Sequence, residues 1–124
     1  MSKLKSPKAP KFHNVAVTLK AVPSGGNTAG GKYIVKCLPD TVNVVGGDAI
    51  INYQLTKAPA GIVFTGFDHS GSSADRELSK PSISVDGKMM TFSDINLEEG
   101  PILITLKFRD DTEILFDPEV SNET

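Results

Sequence analysis

Apolar and polar residues alternate with a period of two along most of the chain. Val15, Val17 and Leu19 are separated by small or polar residues, and similar short segments recur between Gly, Pro, Asn and Asp. This alternation is typical of strands that bury one face. The predicted strands cover residues 15–20, 33–37, 41–45, 49–55, 62–67, 82–85, 88–92, 102–109 and 113–116.

One hairpin is predicted around Asp86-Gly87. This dipeptide suits a type I′ turn, which needs positive φ at both central residues. A two-residue turn there pairs Ile83 with Met90 and places Phe92 on the same face.

A second hairpin is predicted around Asp110. A two-residue loop would set the apolar Phe108 opposite the acidic Glu113, whereas a three-residue loop at 110–112 pairs Phe108 with Ile114. We therefore predict the three-residue loop. Its further pairs are Leu106–Phe116 and Arg109–Glu113, with Lys107 diagonal to Asp117.

Short strands at about ten-residue spacing, without intervening long helices, indicate an all-β fold. The prediction is a two-sheet antiparallel sandwich, immunoglobulin-like, with little or no helix. At most one helical turn is expected, at Ser72–Leu78 within the polar loop 68–80. The 124 residues suffice for one domain.

The ends of the chain are expected to lie outside that domain. Lys3, Lys5, Lys8 and Lys11 are interspersed with prolines and have no acidic neighbour, so residues 1–11 are predicted to form a flexible basic arm. Residues 12–120 form the predicted sandwich. Residues 121–124 are predicted to be a disordered tail.

Charge and composition limit the partners. The formal net charge is −2, which argues against a nucleic-acid partner for the whole domain. The charges are nevertheless distributed unevenly along the chain. The first 38 residues contain seven Lys and no acid, whereas the residues from Asp86 onward contain ten acids and three bases. No apolar run suggests a membrane span or a signal peptide, and the single Cys37 fits a reducing compartment. A cytoplasmic location is therefore expected, with Cys37 packed in the core.

The loop 68–80 holds the first candidate site. Asp68, His69, Asp75 and Arg76 are the predicted ligand-binding residues, suited to a polar ligand such as a carbohydrate. Catalysis is not favoured, because the serines beside Gly71 lack the fixed G-x-S-x-G turn of a nucleophile.

Two further sequence patterns are candidates for binding a cation or a phosphate group. Asp110 and Asp111 are candidate ligands for a hard cation, although neighbouring Lys and Arg residues compete for the carboxylates of this region. The segment Gly26–Lys32 has the G-x-x-x-x-G-K spacing of a phosphate loop. Tyr33 and a predicted strand follow it instead of Ser or Thr and a helix, so a glycine-rich inter-strand loop is favoured. No cofactor is predicted.

Some aliphatic residues point outward in the predicted registers. Leu103 and Leu115 lie on one outer face of neighbouring strands and are the predicted interface residues. A contiguous outer apolar patch marks an interface, which favours a homo-oligomer or another protein partner.

The closing segment Phe116-Asp117-Pro118-Glu119-Val120 resembles the DP-EP family of small bacterial proteins, whose name refers to Asp-Pro and Glu-Pro signatures. The length, the basic start and the strand-rich middle agree with that resemblance, although Val120 stands where a second proline would be expected. The resemblance implies a fold and no particular activity. Asp117, Pro118 and Glu119 are interpreted as a structural motif, since proline ends a strand or protects a sheet edge.

These features together predict a non-enzymatic β-sandwich protein that acts by protein interaction or self-assembly. The alternative is a domain that binds a small ligand or carbohydrate through the 68–80 loop, with or without a cation. Neither a nucleic acid nor a membrane is expected as a partner.

Overall fold

The computed structural model describes residues 10–70, 76–110 and 112–123. These residues form ten strands, which bear out the all-β prediction. The strands are β1 (Lys11–Ala21), β2 (Tyr33–Leu38), β3 (Thr41–Val45), β4 (Ala49–Lys57), β5 (Val63–Ser70), β6 (Ser82–Ile83), β7 (Met89–Asp94), β8 (Gly100–Arg109), β9 (Glu113–Phe116) and β10 (Glu119–Glu123). Within the described ranges, no helix has the length and apolar character needed to cross a membrane.

The strands form two packed sheets, as predicted, but the sheets are mixed. The first sheet has the order β2-β1-β4-β7-β6, and the second has the order β3-β10-β8-β5 with β9 added to β8. Strand β1 runs parallel to β4, and β10 runs parallel to β3. The predicted two-sheet sandwich is confirmed, although these two strand pairs are parallel rather than antiparallel. The chain enters the second sheet at β3 before β4 returns to the first, and such long connections permit parallel neighbours.

The core lies between the sheets and follows the predicted alternation. Side chains from both sheets are almost fully buried, including Val17, Ile51, Leu106 and Phe108, each with no exposed surface. Burying these side chains contributes roughly 1.5–3 kcal/mol each. Cys37 points towards this core and is half-buried against it, as the alternation predicts.

Both hairpin registers are confirmed. Ile83 pairs with Met90, and Phe92 is buried on the same face as Met90. In the second hairpin the observed pairs are Leu106–Phe116, Lys107–Leu115, Phe108–Ile114 and Arg109–Glu113.

The turn type predicted for the first hairpin is wrong. Gly87 has a φ of 74°, whereas Asp86 is absent from the described non-glycine residues with positive φ. The Gly87 amide donates to the Ser84 carbonyl at 2.9 Å. The Asp86 carboxylate accepts from Ser84 Oγ at 2.6 Å and from the Lys88 amide at 3.0 Å. These side-chain bonds stabilise a longer turn with only one left-handed residue.

The two ends of the chain also differ from the prediction. Lys11, assigned to the flexible arm, begins β1, and its amide donates to the Asp48 carbonyl at 3.1 Å. Residues 121–123, assigned to a disordered tail, belong to β10, which pairs with both β3 and β8. The polar sequence of β10 concealed this strand, because Asn122 is buried where an apolar residue would be expected. Residues 1–9 of the predicted arm and Thr124 lie outside the described residues.

The polar loop begins later than predicted. Asp68, His69 and Ser70 form the end of β5 and pair with Thr105, Ile104 and Leu103 of β8. Most of the predicted helical turn at 72–78 lies outside the described residues, and Arg76 and Glu77 at its end are helical.

Candidate functional site

A shallow groove lies on the second sheet where β8 changes its partner. The first residues of β8 pair with β10, and its last residues pair with β9. The connection Asp117-Pro118 joins β9 to β10 beside the middle of β8. The groove has a volume of about 270 Å³ and is lined by Asp68, His69, Ser70, Leu103, Ile104, Thr105, Asp117 and Pro118.

Polar contacts position the side chains on this surface. Thr105 Oγ1 donates to Asp117 Oδ1 at 2.7 Å, which holds the Asp-Pro connection against β8. Lys107 Nζ lies 3.7 Å from Asp68 Oδ1 and 3.5 Å from Glu113 Oε2. Lys107 was predicted to lie diagonal to Asp117, and its ammonium group forms ion pairs with Asp68 and Glu113 instead. The Asp68 side chain is 71% exposed, so water screens its ion pair.

Residues for which the sequence predicts different roles line the same groove. Asp68 and His69 were predicted to bind a ligand, Leu103 to form an interface, and Asp117 and Pro118 to form a structural motif. Their meeting depends on pairing between β5 and β8, whose paired residues lie more than thirty positions apart in the chain. The His69 and Phe67 rings also pack in a T-shaped arrangement, with ring centroids 5.8 Å apart.

The other predicted ligand-binding and motif residues do not line this groove. Arg76 forms an ion pair with Glu98. Glu119 lines a neighbouring depression that also includes Cys37 and Asp40. Asp75 lies outside the described residues.

The structure describes only one of the two candidate cation ligands, Asp110 and Asp111. The Asp110 carboxylate accepts from the Tyr33 hydroxyl and, at 2.9 Å, from the Thr112 amide. It therefore joins the β8–β9 turn to β2. Asp111 lies outside the described residues. In the part of the chain that the structure covers, no three His, Cys, Asp or Glu side chains are grouped as metal ligands.

The predicted interface residues have unequal exposure. Leu103 is 59% exposed, whereas Leu115 is half-buried and its carbonyl accepts from the Ala29 amide at 3.1 Å. Thr105 and Asp117 line both the groove beside Leu103 and the depression beside Leu115. A polar pair thus lies between the two leucines.

The first sheet presents two apolar side chains that the sequence interpretation did not single out. Phe12 is 66% exposed and Leu38 is 76% exposed. Phe12 pairs with Ile50 of β4, and Leu38 pairs with Ala16 of β1. Extending the alternation of Val15 and Val17 back to Phe12 would have placed it on the outer face.

The edge of β1 is only partly covered beside these residues. Strand β2 pairs with Ala16–Ala21, while β4 lies on the other side of β1 from Lys11 onward. Among the described strands, none pairs with the β2 side of β1 over residues 11–15. Phe12 therefore lies beside an open strand edge.

In the described residues, the topology and these surfaces define a mixed-sheet β-sandwich with an open edge and a shallow polar groove. The model of the DP-EP family matches residues 8–124, and the chain belongs to that family. A search of curated proteins gives no match. Asp117-Pro118 thus lies within the matched range and beside the groove.

Proposed function

We propose that this protein is a non-enzymatic interaction module that self-associates through the first sheet. The observation that carries this proposal is the exposure of Phe12 and Leu38 beside the open edge of β1. The interface residues predicted from the sequence, Leu103 and Leu115, are less suited to this role, because the polar Thr105–Asp117 pair lies between them.

A second copy can add its own β1 to this edge. Open strand edges present amides and carbonyls that pair with another strand. Association would also remove the Phe12 and Leu38 side chains from water, and burial stabilises by roughly 25 cal/mol per Å² of apolar surface. A homodimer is therefore the proposed assembly, and a different protein with an exposed strand is the other partner class.

Several finer descriptions belong to the same proposal. The two-sheet core supports an immunoglobulin-like description, and the single unbridged Cys37 supports a cytoplasmic location.

Sedimentation equilibrium across a range of protein concentrations tests self-association. We expect the wild type to approach the dimer mass and the double variant Phe12→Ser/Leu38→Ser to remain monomeric. Leu103→Ser is the matched control, because it removes an exposed leucine from the other sheet and should still dimerise. A monomeric wild type at high concentration, or a dimeric double variant with a native circular dichroism spectrum, would contradict the proposal.

A second candidate function is binding of a small polar ligand, including a carbohydrate, in the groove. It is favoured by the lining of the groove, where Asp68 and Asp117 supply polar groups and Leu103 supplies an apolar surface. The volume of about 270 Å³ is near the lower end of ligand pockets, which suits a single sugar ring.

Chemical-shift titration with a panel of monosaccharides, in EGTA and then with added Ca²⁺, tests this second function. Binding should shift the amides of β5 and β8 around the groove, and Asp117→Ala should weaken it by about tenfold. Arg109→Ala is a control on the same strand outside the groove lining. Shifts that are absent from the groove would overturn the hypothesis.

A further inference from the structure

A buried group of acid and amide side chains joins the two sheets away from the groove. Glu77 is 2% exposed, Asp94 and Asn122 have no exposed surface, and Asn96 is 5% exposed. Glu77 precedes the bridge between Leu78 and Asp94, and Asn96 follows β7. Asn122 comes from β10 in the opposite sheet. We call these four residues the acid–amide cluster.

Asn122 connects the two carboxylates of the cluster. Its Nδ2 donates to Glu77 Oε2 at 3.3 Å and to Asp94 Oδ1 at 3.1 Å. Asp94 Oδ1 also accepts from the Asn96 amide at 2.9 Å. Glu77 Oε1 accepts from the amides of Leu97 and, at 2.8 Å, Glu98. The two acid groups thus share Asn122 as a neutral donor in the interior.

Among the contacts of the described residues, the cluster has more acceptors than donors. Asp94 Oδ2, Asn96 Oδ1 and Asn122 Oδ1 are buried and accept no hydrogen bond from the residues that the structure describes. Buried polar atoms usually have a partner, because desolvation without one costs about 1–3 kcal/mol. Three buried oxygen atoms without donors therefore point to an electropositive ligand.

Three backbone carbonyls add to the excess of hydrogen-bond acceptors in the cluster. Asn96 Nδ2 donates to the carbonyls of Val44, Gly47 and Glu123 at 3.3, 3.2 and 3.2 Å. An amide group has two hydrogens for these three acceptors. Asn96 has a φ of 53°, and this left-handed conformation accompanies its contacts with β3, the β3–β4 turn and β10.

We propose that Glu77, Asp94, Asn96 and Asn122 form a Ca²⁺-binding site. Carboxylate and amide oxygens are ligands for hard cations, and Ca²⁺ accepts irregular arrangements of six to eight oxygens. Mg²⁺ is a poorer match because it retains several waters, whereas these side chains are almost completely buried. Rotation of the Asn122 amide would exchange Nδ2 for Oδ1 and direct a third oxygen towards the two carboxylates.

Binding would link the two sheets through ligands on both. Asp94 ends β7 of the first sheet, and Asn122 lies in β10 of the second. A ligand that binds only the folded state stabilises it according to its concentration and affinity. The ion would therefore raise the melting temperature without any contribution from the groove or the self-association surface.

Calorimetric titration and thermal unfolding after EGTA treatment test this proposal. We expect one Ca²⁺ per chain and a melting temperature that rises with the logarithm of Ca²⁺ concentration, with weaker effects from Mg²⁺. Asp94→Asn should weaken binding by more than about tenfold. Asp40→Asn is the matched control, since Asp40 is exposed and does not belong to the acid–amide cluster.

The wild type alone can overturn the proposal. No binding heat and no Ca²⁺-dependent change in melting temperature would show that the cluster holds no Ca²⁺. Retention of wild-type affinity by folded Asp94→Asn would place the ion elsewhere and would also overturn it. If Asp94→Asn does not fold, Glu77→Gln provides the same comparison. A stability that depends on pH but not on Ca²⁺ would identify a proton as the neutralising ligand.

Discussion

The side chain of Asn27 pairs with the backbone of Val35 on the outer edge of β2. Asn27 Nδ2 donates to the Val35 carbonyl at 2.8 Å, and the Val35 amide donates to Asn27 Oδ1 at 2.7 Å. A loop side chain thereby occupies the backbone groups that an additional strand would use. The edge of β2 is protected at Val35, which directs the proposed self-association to the open part of β1.

Asn27→Ala should destabilise the fold. It leaves the amide and carbonyl of a residue that is only 2% exposed without these two bonds, at a cost of about 1–3 kcal/mol. Urea unfolding measures the loss. Asn43→Ala, on the exposed side of β3, is the control and should change stability by less than about 0.5 kcal/mol. Equal stabilities of the two variants would contradict the role assigned to Asn27.

Gly26→Ala should destabilise the same loop through a steric clash. A Cβ at this position would lie 2.1 Å from the Tyr33 carbonyl oxygen, so the loop and β2 would have to separate. We expect a loss of about 2 kcal/mol or more in thermal unfolding.

Gly30→Ala provides the comparison for Gly26. Gly30 has a φ of 88°, and a methyl group added there would point into open space, so alanine introduces backbone strain without a clash. Its cost should be nearer 1 kcal/mol, that is, about the penalty of a left-handed residue with a Cβ. A smaller loss for Gly26→Ala than for Gly30→Ala would show that the contact with Tyr33 is not decisive.

Asp94→Asn should stabilise the protein at neutral pH in EGTA. Burial raises the pKa of Asp94, and Glu77 and Asp48 add repulsion, while hydrogen bonds from the Asn96 amide and the Asn122 side chain act in the opposite direction. Because the folded state holds the proton more tightly, the stabilising contribution of Asp94 is complete below its unfolded pKa of about 4 and is lost as pH rises through the folded pKa.

The melting temperatures of wild type and Asp94→Asn should therefore converge as the pH falls towards about 4. At pH 7 the variant should melt at a higher temperature than the wild type, because the folded wild type then holds a buried carboxylate. Thermal scans over this pH range measure the difference. A gap that widened at acid pH would show that Asp94 is stabilised as the carboxylate.

Cys37 should react slowly with iodoacetamide in the folded protein. Burial raises the pKa of its thiol to about 11, and the nearby Asp40 adds to the increase. The reactive thiolate is therefore scarce at pH 8. Alkylation followed by mass spectrometry should be on the order of a hundredfold slower than in urea. Similar rates in the two conditions would show that the Cys37 thiol is accessible and ionised.

Local sequence patterns account for much of the fold. The alternation of Val15, Val17 and Leu19 identified buried positions because strand side chains alternate between faces. The pairing of Phe108 with Ile114 followed from excluding an acid opposite a core residue. Both inferences depend on residues that lie close together in the chain.

Long-range pairing accounts for the failures. The polar strand β10 forms because β3 and β8 supply partners on both of its sides. The parallel pairing of β1 with β4 joins strands separated by a crossing to the other sheet. No short-range pattern specifies either arrangement.

The candidate sites show the same division. Asp68, His69, Asp117 and Pro118 were recognisable as unusual residues in sequence, but only the β5–β8 pairing and the β9–β10 connection placed them around one groove. Glu77 and Asn122 carried no local signal, and their contact arises because the two sheets pack face to face. The sequence alone determined the class of fold, the buried faces and the hairpin registers through side-chain alternation. Tertiary structure decided the strand order and the sites, because these depend on contacts between distant segments.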